Sequence, residues 1–387
     1  MSKPKKKPPV FDVDATLDTA KILVCTGSGG VGKTTTAAAL ALRGAERGRR
    51  TVVLTIDPAK RLAQSMGLTE LDNTPRRVEG ADSAKGGSLD AMMLDMKRTF
   101  DEIVVTHAEP GKAEAILENP FYQALSSSFA GTQEYMAMEK LGQLKATGDY
   151  DLIVVDTPPT RSALDFLDAP DRMTTFLDGR MIRLLLAPAK AGGKAYFRVV
   201  STGFGVITNV LTKIIGAQFL QDVSQFIGAL ETMFGGFRER AQATYDLLKA
   251  PGTAFVVVAA PERDALREAS YFVERLAEEH MPLAGLVVNR VHRSNGSHLG
   301  AERSVAAAES LEESGGGHEL ASAVLRLHAD RVALSAREKH LQERFSGAHP
   351  GVPVVEVAAL PGDVHDLDGL RAVGHDLAAG TAAAVPA

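Results

Sequence analysis

The chain has 387 residues, enough for one large domain with a substantial core. Hydrophobic residues make 45% and charged residues 24%, the balance of a soluble globular protein. A net charge of −5 excludes the broad basic field of a nucleic-acid binder, and the one cysteine, Cys25, excludes an intrachain disulfide or a structural zinc site built from thiols.

The N-terminus reads MSKPKKKPPV. It is basic with no apolar stretch behind it, so residues 1–20 are expected to form a disordered basic tail rather than a secretory signal. From there to 378 the sequence reads as one domain. Short apolar runs alternate with longer helical patterns: ILVCT (22–26), TVVLTI (51–56), LDAMML (89–94), DLIVVD (151–156), AFVVVA (254–259), LAGLVVN (283–289) and PVVEVA (353–358). Most are β-branched and apolar on both faces, the mark of strands buried in a parallel sheet. The expected fold class is α/β: a P-loop nucleotide hydrolase with a mostly parallel central sheet flanked by helices, plus a helical subdomain formed by insertions.

The first helix opens directly after the first strand and runs TTTAAALALRGAERG, with Gly48 as its stop. Three helical insertions are expected, at about 96–147, 162–250 and 296–348. In the last, two charged helices flank a break at Gly315–Gly317. The second contains VVSTGFGVITNVLTKIIGAQFL at 199–220, long enough to span a bilayer but diluted by Ser, Thr, Asn, Gln and Gly. It reads as a helix pair that exposes an apolar face conditionally. Residues 379–387 are expected to form a loose tail.

The chemistry is concentrated in one stretch. Gly27-x-x-x-x-Gly32-Lys33-Thr34 completes the phosphate-loop pattern between a strand and a helix. Glycines allow the backbone to curl so that its N–H groups converge on phosphate oxygens, and the helix N-terminus adds its positive end. In that role Lys33 reaches the β- and γ-phosphates, Thr34 ligates Mg²⁺ and Thr35 binds the α-phosphate. Asp156 ends a buried strand, the position of an acid in the Mg²⁺ shell. The Thr157-Pro158-Pro159-Thr160 segment after it is stiff enough to sense the γ-phosphate. Asp57 ends another strand, where it either orients the attacking water or simply caps the following helix. Asn289 ends a third strand, and its amide suits a purine edge.

Together these pieces resemble the ArsA family, which includes the arsenite-pump ATPase and the targeting factor for tail-anchored membrane proteins. The resemblance rests on GGVGKTTTAAALAL, TIDPA, LDAMMLD, VVDTPPT, VVNRV and ALPGD, in that order from about 21 to 375. It implies that the chain hydrolyses ATP with Mg²⁺. It implies a phosphate loop of Gly29, Gly30, Val31, Gly32, Lys33, Thr34 and Thr35. Asp57 becomes the water-positioning acid, with Lys33 beside it in catalysis, and Asp156 joins Thr34 at the metal. Asn289 and the turn Pro361, Gly362 and Asp363 contact the base.

Departures from the family carry information. The family's loop begins GKGG, and that first lysine crosses a dimer interface; here it is Ser28, too short and neutral for the task. The zinc-binding Cys pair and the arsenite thiols are missing. Three readings of Ser28 follow: pairing with a lysine-bearing homologous subunit, which is favoured; a homodimer that hydrolyses slowly as a nucleotide-gated switch; or replacement of the lysine by another cation such as Arg161, which otherwise is a surface charge. The expected task is coupling of nucleotide state to a hydrophobic client or membrane protein, with energising an anion efflux system other than thiol-ligated arsenite as an alternative. A cytoplasmic location, peripheral to the membrane at most, fits this reading.

Overall fold

The computed structural model describes residues 9–57, 61–108, 111, 113–119, 122–123, 132–158, 239–294 and 299–382. All seven expected strands form. They are β1 (Ile22–Gly27), β2 (Arg50–Thr55), β4 (Ser88–Met93), β5 (Leu152–Asp156), β6 (Thr253–Ala259), β7 (Leu283–Val291) and β8 (Val354–Ala358). Among the described residues one further strand, β3 (Arg76–Arg77), pairs antiparallel with β4, and every other strand pairing is parallel. The sheet order is β3-β4-β2-β5-β1-β6-β7-β8.

The order explains where a ligand belongs. From β1 the chain first moves to β2 on one side, and later places β6 on the other. Where connections leave a strand in opposite directions, a crevice opens at the carboxyl ends of the strands. β1, β5 and β6 are buried along their whole length, as their apolar sequences require.

Helices follow in chain order: α1 (Val13–Thr19), α2 (Lys33–Glu46), α3 (Arg61–Ser65), α4 (Met96–His107), α5 (Ala113–Leu117), α6 (Thr132–Thr147), α7 (Arg263–Glu278), α8 (Ala301–Glu313), α9 (Glu319–Ala348) and α10 (Leu367–Ala382). Helix α2 is Ala-rich for a reason: it is buried over Thr36–Leu42, lying between β2 and β5 on one side and α10 on the other. Gly48, at φ +100, ends it as expected.

The N-terminal expectation needs correction. Residues 9–20 are not a loose tail. Asp12 caps α1 through the Ala15 N–H at 3.0 Å, and Phe11, Val13 and Leu17 are buried. Burying three such side chains contributes roughly 1.5–3 kcal/mol each. Asp14 then takes Arg43 of α2 at 2.6 Å and Arg47 at 3.0 Å, so α1 is clasped to the helix that follows the phosphate loop. The lysines at 3–7 concealed this short apolar pattern. At the other end, α10 runs to Ala382, four residues into the expected loose tail, and its Leu377 is fully buried.

The first insertion is helical, as α4, α5 and α6, and Met92, Met136 and Met138 are core residues. The third is the hairpin α8–α9, whose helices break around Gly315–Gly317. Most of the second, including 199–220 and the apolar residues from Phe219 to Phe234, lies outside the described residues. Among the described residues no helix is long and apolar enough to cross a membrane.

Candidate functional site

The loop between β1 and α2 is shaped by backbone that only glycine adopts easily. Gly27, Gly30 and Gly32 have φ of +153, +77 and +91. At Gly27 a Cβ would stand 2.1 Å from the Val258 carbonyl oxygen of β6, and at Gly32 it would stand 2.2 Å from Asn289 Nδ2. Gly29 and Gly30 are exposed at the tip, while Val31 is buried and anchors the loop. Lys33 is 5% exposed, and its Nζ donates to the Ser28 carbonyl at 2.9 Å. Burial pushes the Lys33 ammonium down from its ordinary value, and the carboxylates of Asp156 and Asp57 push back. Thr34 and Thr35 lie partly buried in the first helical turn.

Asp156 sits at the end of β5, between β1 and β2. Its register partners are Cys25 and Thr55. The Thr55 hydroxyl donates to Asp156 Oδ2 at 2.9 Å, while Oδ1 is buried with no protein partner. Burial pushes this carboxyl up to about 6; the Thr34 and Thr55 hydroxyls and Lys33 act in the opposite direction. Cys25, beside it, is inert: burial and the neighbouring Asp156 push its thiol well above the ordinary range.

Asp57 follows β2 at the same edge. Its N–H donates to Thr55 Oγ1 at 3.2 Å, so one hydroxyl bridges the backbone of Asp57 and the carboxylate of Asp156. The Asp57 charge acts on both Lys33 and Asp156. Thr157 is buried and fixed by its hydroxyl to the Cys25 carbonyl at 2.9 Å. Pro159, Thr160 and Arg161 lie outside the described residues.

Asn289 also reaches the site, but part of its amide is already engaged. Nδ2 donates to the Val31 carbonyl at 2.8 Å, and Oδ1 accepts the Arg290 N–H at 3.0 Å. An amide has two N–H donors and two oxygen lone pairs, so one of each remains for a base edge. Pro361, Gly362 and Asp363 form an exposed turn after β8. The Ala359 N–H donates to the Val291 carbonyl at 3.0 Å, which places this turn beside the end of β7.

Sequence reading missed Thr55 and Arg290. Thr55 is visible only as the polar residue interrupting TVVLTI. Arg290 donates from Nη1 to the Gly30 carbonyl at 3.1 Å, a contact between segments 260 residues apart that no local pattern encodes.

The residues present fit a magnesium–nucleotide complex. Asp156 Oδ1 is an orphaned buried acceptor, the Thr34 hydroxyl faces the same carboxylate, and hard oxygen donors of this kind suit Mg²⁺. A parallel sheet, a glycine loop opening a helix, a buried lysine and an acid on the neighbouring strand define the P-loop nucleoside-triphosphate hydrolase class.

A profile of the anion-transporting ATPases, the ArsA ATPase family, matches residues 20–308, and the chain belongs to that family of ATP-hydrolysing enzymes. It is 30% identical over 271 residues to ATPase ARSA2 of Chlamydomonas reinhardtii, covering 68% of this chain and 66% of that protein. It is 28% identical over 267 residues to ATPase get3 of Sclerotinia sclerotiorum, covering 68% and 70%. A putative arsenical pump-driving ATPase of Prosthecochloris vibrioformis matches at 31% over 158 residues, covering 40% and 36%.

Proposed function

We propose that this chain binds Mg²⁺–ATP on the loop Gly29–Thr35 and hydrolyses it with Asp57 positioning the attacking water. The observation that carries the proposal is convergence: Asp57 and Asp156 are tied through Thr55 at one sheet edge, and the charges of both act on Lys33. Thr34 and Asp156 would hold the metal, which neutralises charge developing on the phosphate oxygens. Lys33 leaves the Ser28 carbonyl for the β- and γ-phosphates. Asp57 accepts a hydrogen bond from water, and the free donor and acceptor of Asn289, with the Pro361–Asp363 turn, cover the base.

The finer reading concerns the partner. Residue 28 is neutral, and its Oγ is buried with no protein partner, so it offers no cation to a facing subunit. This supports pairing with a lysine-bearing homologous ATPase, whose lysine would enter this chain's site while its own site received none. The coupled task is membrane-directed, acting on a hydrophobic client or membrane protein. A neutral residue 28 also favours a second reading, a homodimer that hydrolyses slowly as a switch.

One experiment separates them. ATP turnover and solution mass are measured for the purified chain, then with a lysine-bearing paralogue added. A sluggish chain that forms a 1:1 complex with much faster turnover supports the asymmetric pair. A brisk homodimer sinks it, and a slow homodimer unaffected by the paralogue supports the switch.

A further inference from the structure

Two consecutive residues at the end of β7 hold the phosphate loop from outside. Asn289 Nδ2 takes the Val31 carbonyl, and Arg290 Nη1 takes the Gly30 carbonyl. The next carbonyl, of Gly32, accepts from both the N–H and the hydroxyl of Thr36, each at 2.9 Å. In a trans peptide the carbonyl of one residue and the N–H of the next point in opposite directions. Tying the carbonyls of Gly30, Val31 and Gly32 away from the loop's hollow therefore turns the N–H groups of Val31, Gly32 and Lys33 into it. Converging N–H groups are what a polyphosphate needs.

Arg290 reaches its position by an unusual route. Its φ is +63, a left-handed conformation uncommon for a residue with a Cβ. It is exposed, so burial of its side chain does not impose this conformation. The β7–β8 register shifts between Val288 and Val291, so Asn289 and Arg290 form a bulge. Bulges next to sites re-aim side chains, and this one sends two successive residues to two successive loop peptides. The Arg290 N–H closes the arrangement on Asn289 Oδ1.

We infer that Arg290 is a positioning residue for the nucleotide's phosphates, acting through the Gly30–Val31 peptide. The inference rests on the nucleotide reading above and extends it: the loop is set for polyphosphate by a strap from β7 as well as by its own glycines. The strained backbone at 290 serves the ligand site rather than the fold.

The test uses the 387-residue chain. A fluorescent ATP analogue and MgADP are titrated against wild type, Lys33→Ala, Arg290→Ala, Arg290→Lys and Arg290→Gly, with thermal unfolding of each. Loss of one charge-assisted hydrogen bond that fixes the loop is expected to weaken both nucleotides about 5–10-fold in Arg290→Ala and Arg290→Gly. Lysine retains a single cationic donor and should recover most of the affinity. Arg290→Gly should unfold at the same temperature as wild type or higher, because glycine carries no left-handed penalty. Binding within twofold of wild type in both Ala and Gly variants would overturn the inference. So would affinity and unfolding temperature falling together in both, which would mark a structural brace. A wild type that binds neither nucleotide, indistinguishable from Lys33→Ala, removes the underlying reading and the inference with it.

Discussion

The carboxyl edge of β1, β2 and β5 and the α8–α9 hairpin are both rich in polar and charged groups, but the two environments make opposite use of them. At the edge, Lys33 is 5% exposed and Asp156 is fully buried, with one oxygen unpartnered. On the hairpin, Arg326 and Glu312 meet at 2.7 Å with each side chain nearly half exposed, and Leu320, Val324 and Leu327 stand in solvent. Burial makes a charge costly until something compensates it, and that unmet demand is what a ligand satisfies. Exposed pairs are already served by water, so they contribute little and tolerate change. Asp156 Oδ1 is the group at this edge whose need the protein leaves unmet.

Removing the buried chemistry should have the largest effect. Lys33→Ala is expected to lower ATP turnover by about 10²–10³-fold, and Asp57→Asn by a similar order while ATP binding changes little; phosphate-release assays and equilibrium titration separate the two. If Asp57→Asn turns over normally, Asp57 is only a structural residue at the helix entrance.

Asp156 tests the electrostatic side of the comparison. Its folded-state pKa is raised to about 6 from an ordinary 3.8, so the folded protein binds the proton more tightly than the unfolded chain does. The ligand-free protein accordingly loses stability as pH rises through that window. Asp156→Asn should remove this loss, gaining about 2–3 kcal/mol at pH 7–8 and little at pH 4. Urea unfolding at both pH values measures it; an equal gain at both would mean that the carboxylate is not desolvated in the folded state.

Glu338 is a buried carboxylate on the hairpin, which accepts the His292 N–H at 2.8 Å and meets the ring Nδ1 at 2.7 Å. Glu338→Ala removes the partner of the part-buried His292 N–H and should cost about 1–3 kcal/mol. Hydrogen exchange should localise the loosening to α9 and the end of β7; a uniform loss across the sheet would contradict a local role.

The smallest effects belong to the exposed face. Leu320→Ser, Val324→Ser and Leu327→Ser should each shift stability by less than about 0.5 kcal/mol and leave turnover of the isolated chain unchanged. A cost above about 1 kcal/mol in thermal unfolding would show that this face is covered in solution.

Much of this was legible before any coordinates. Seven strands could be read because β-branched apolar runs of that length are stable only when buried on both faces. β3 could not, because Arg76 and Arg77 carry no apolar pattern and become a strand only through pairing with β4. α1 was hidden because Phe11, Val13 and Leu17 count only once β8, α2 and α10 are there to receive this segment. Val10 bridges to Val354, and Arg49 reaches the carbonyls of Leu17 and Ala20.

The site divides in the same way. Lys33, Thr34, Asp57 and Asp156 were legible as candidates because of their positions, a glycine loop before a helix and acids at strand ends, while the role proposed for Asp57 came from the family resemblance. Those are properties of short stretches, and covalent spacing alone determines them. What only the tertiary structure decided is how those residues are tuned: the raised Asp156, the Thr55 hydroxyl shared between two aspartates, and the Asn289–Arg290 strap on the loop. Each depends on segments 100 or more residues apart being brought to one sheet edge and desolvated there. Proximity and burial, the quantities that shift a pKa or anchor a loop, exist only once the sheet has assembled.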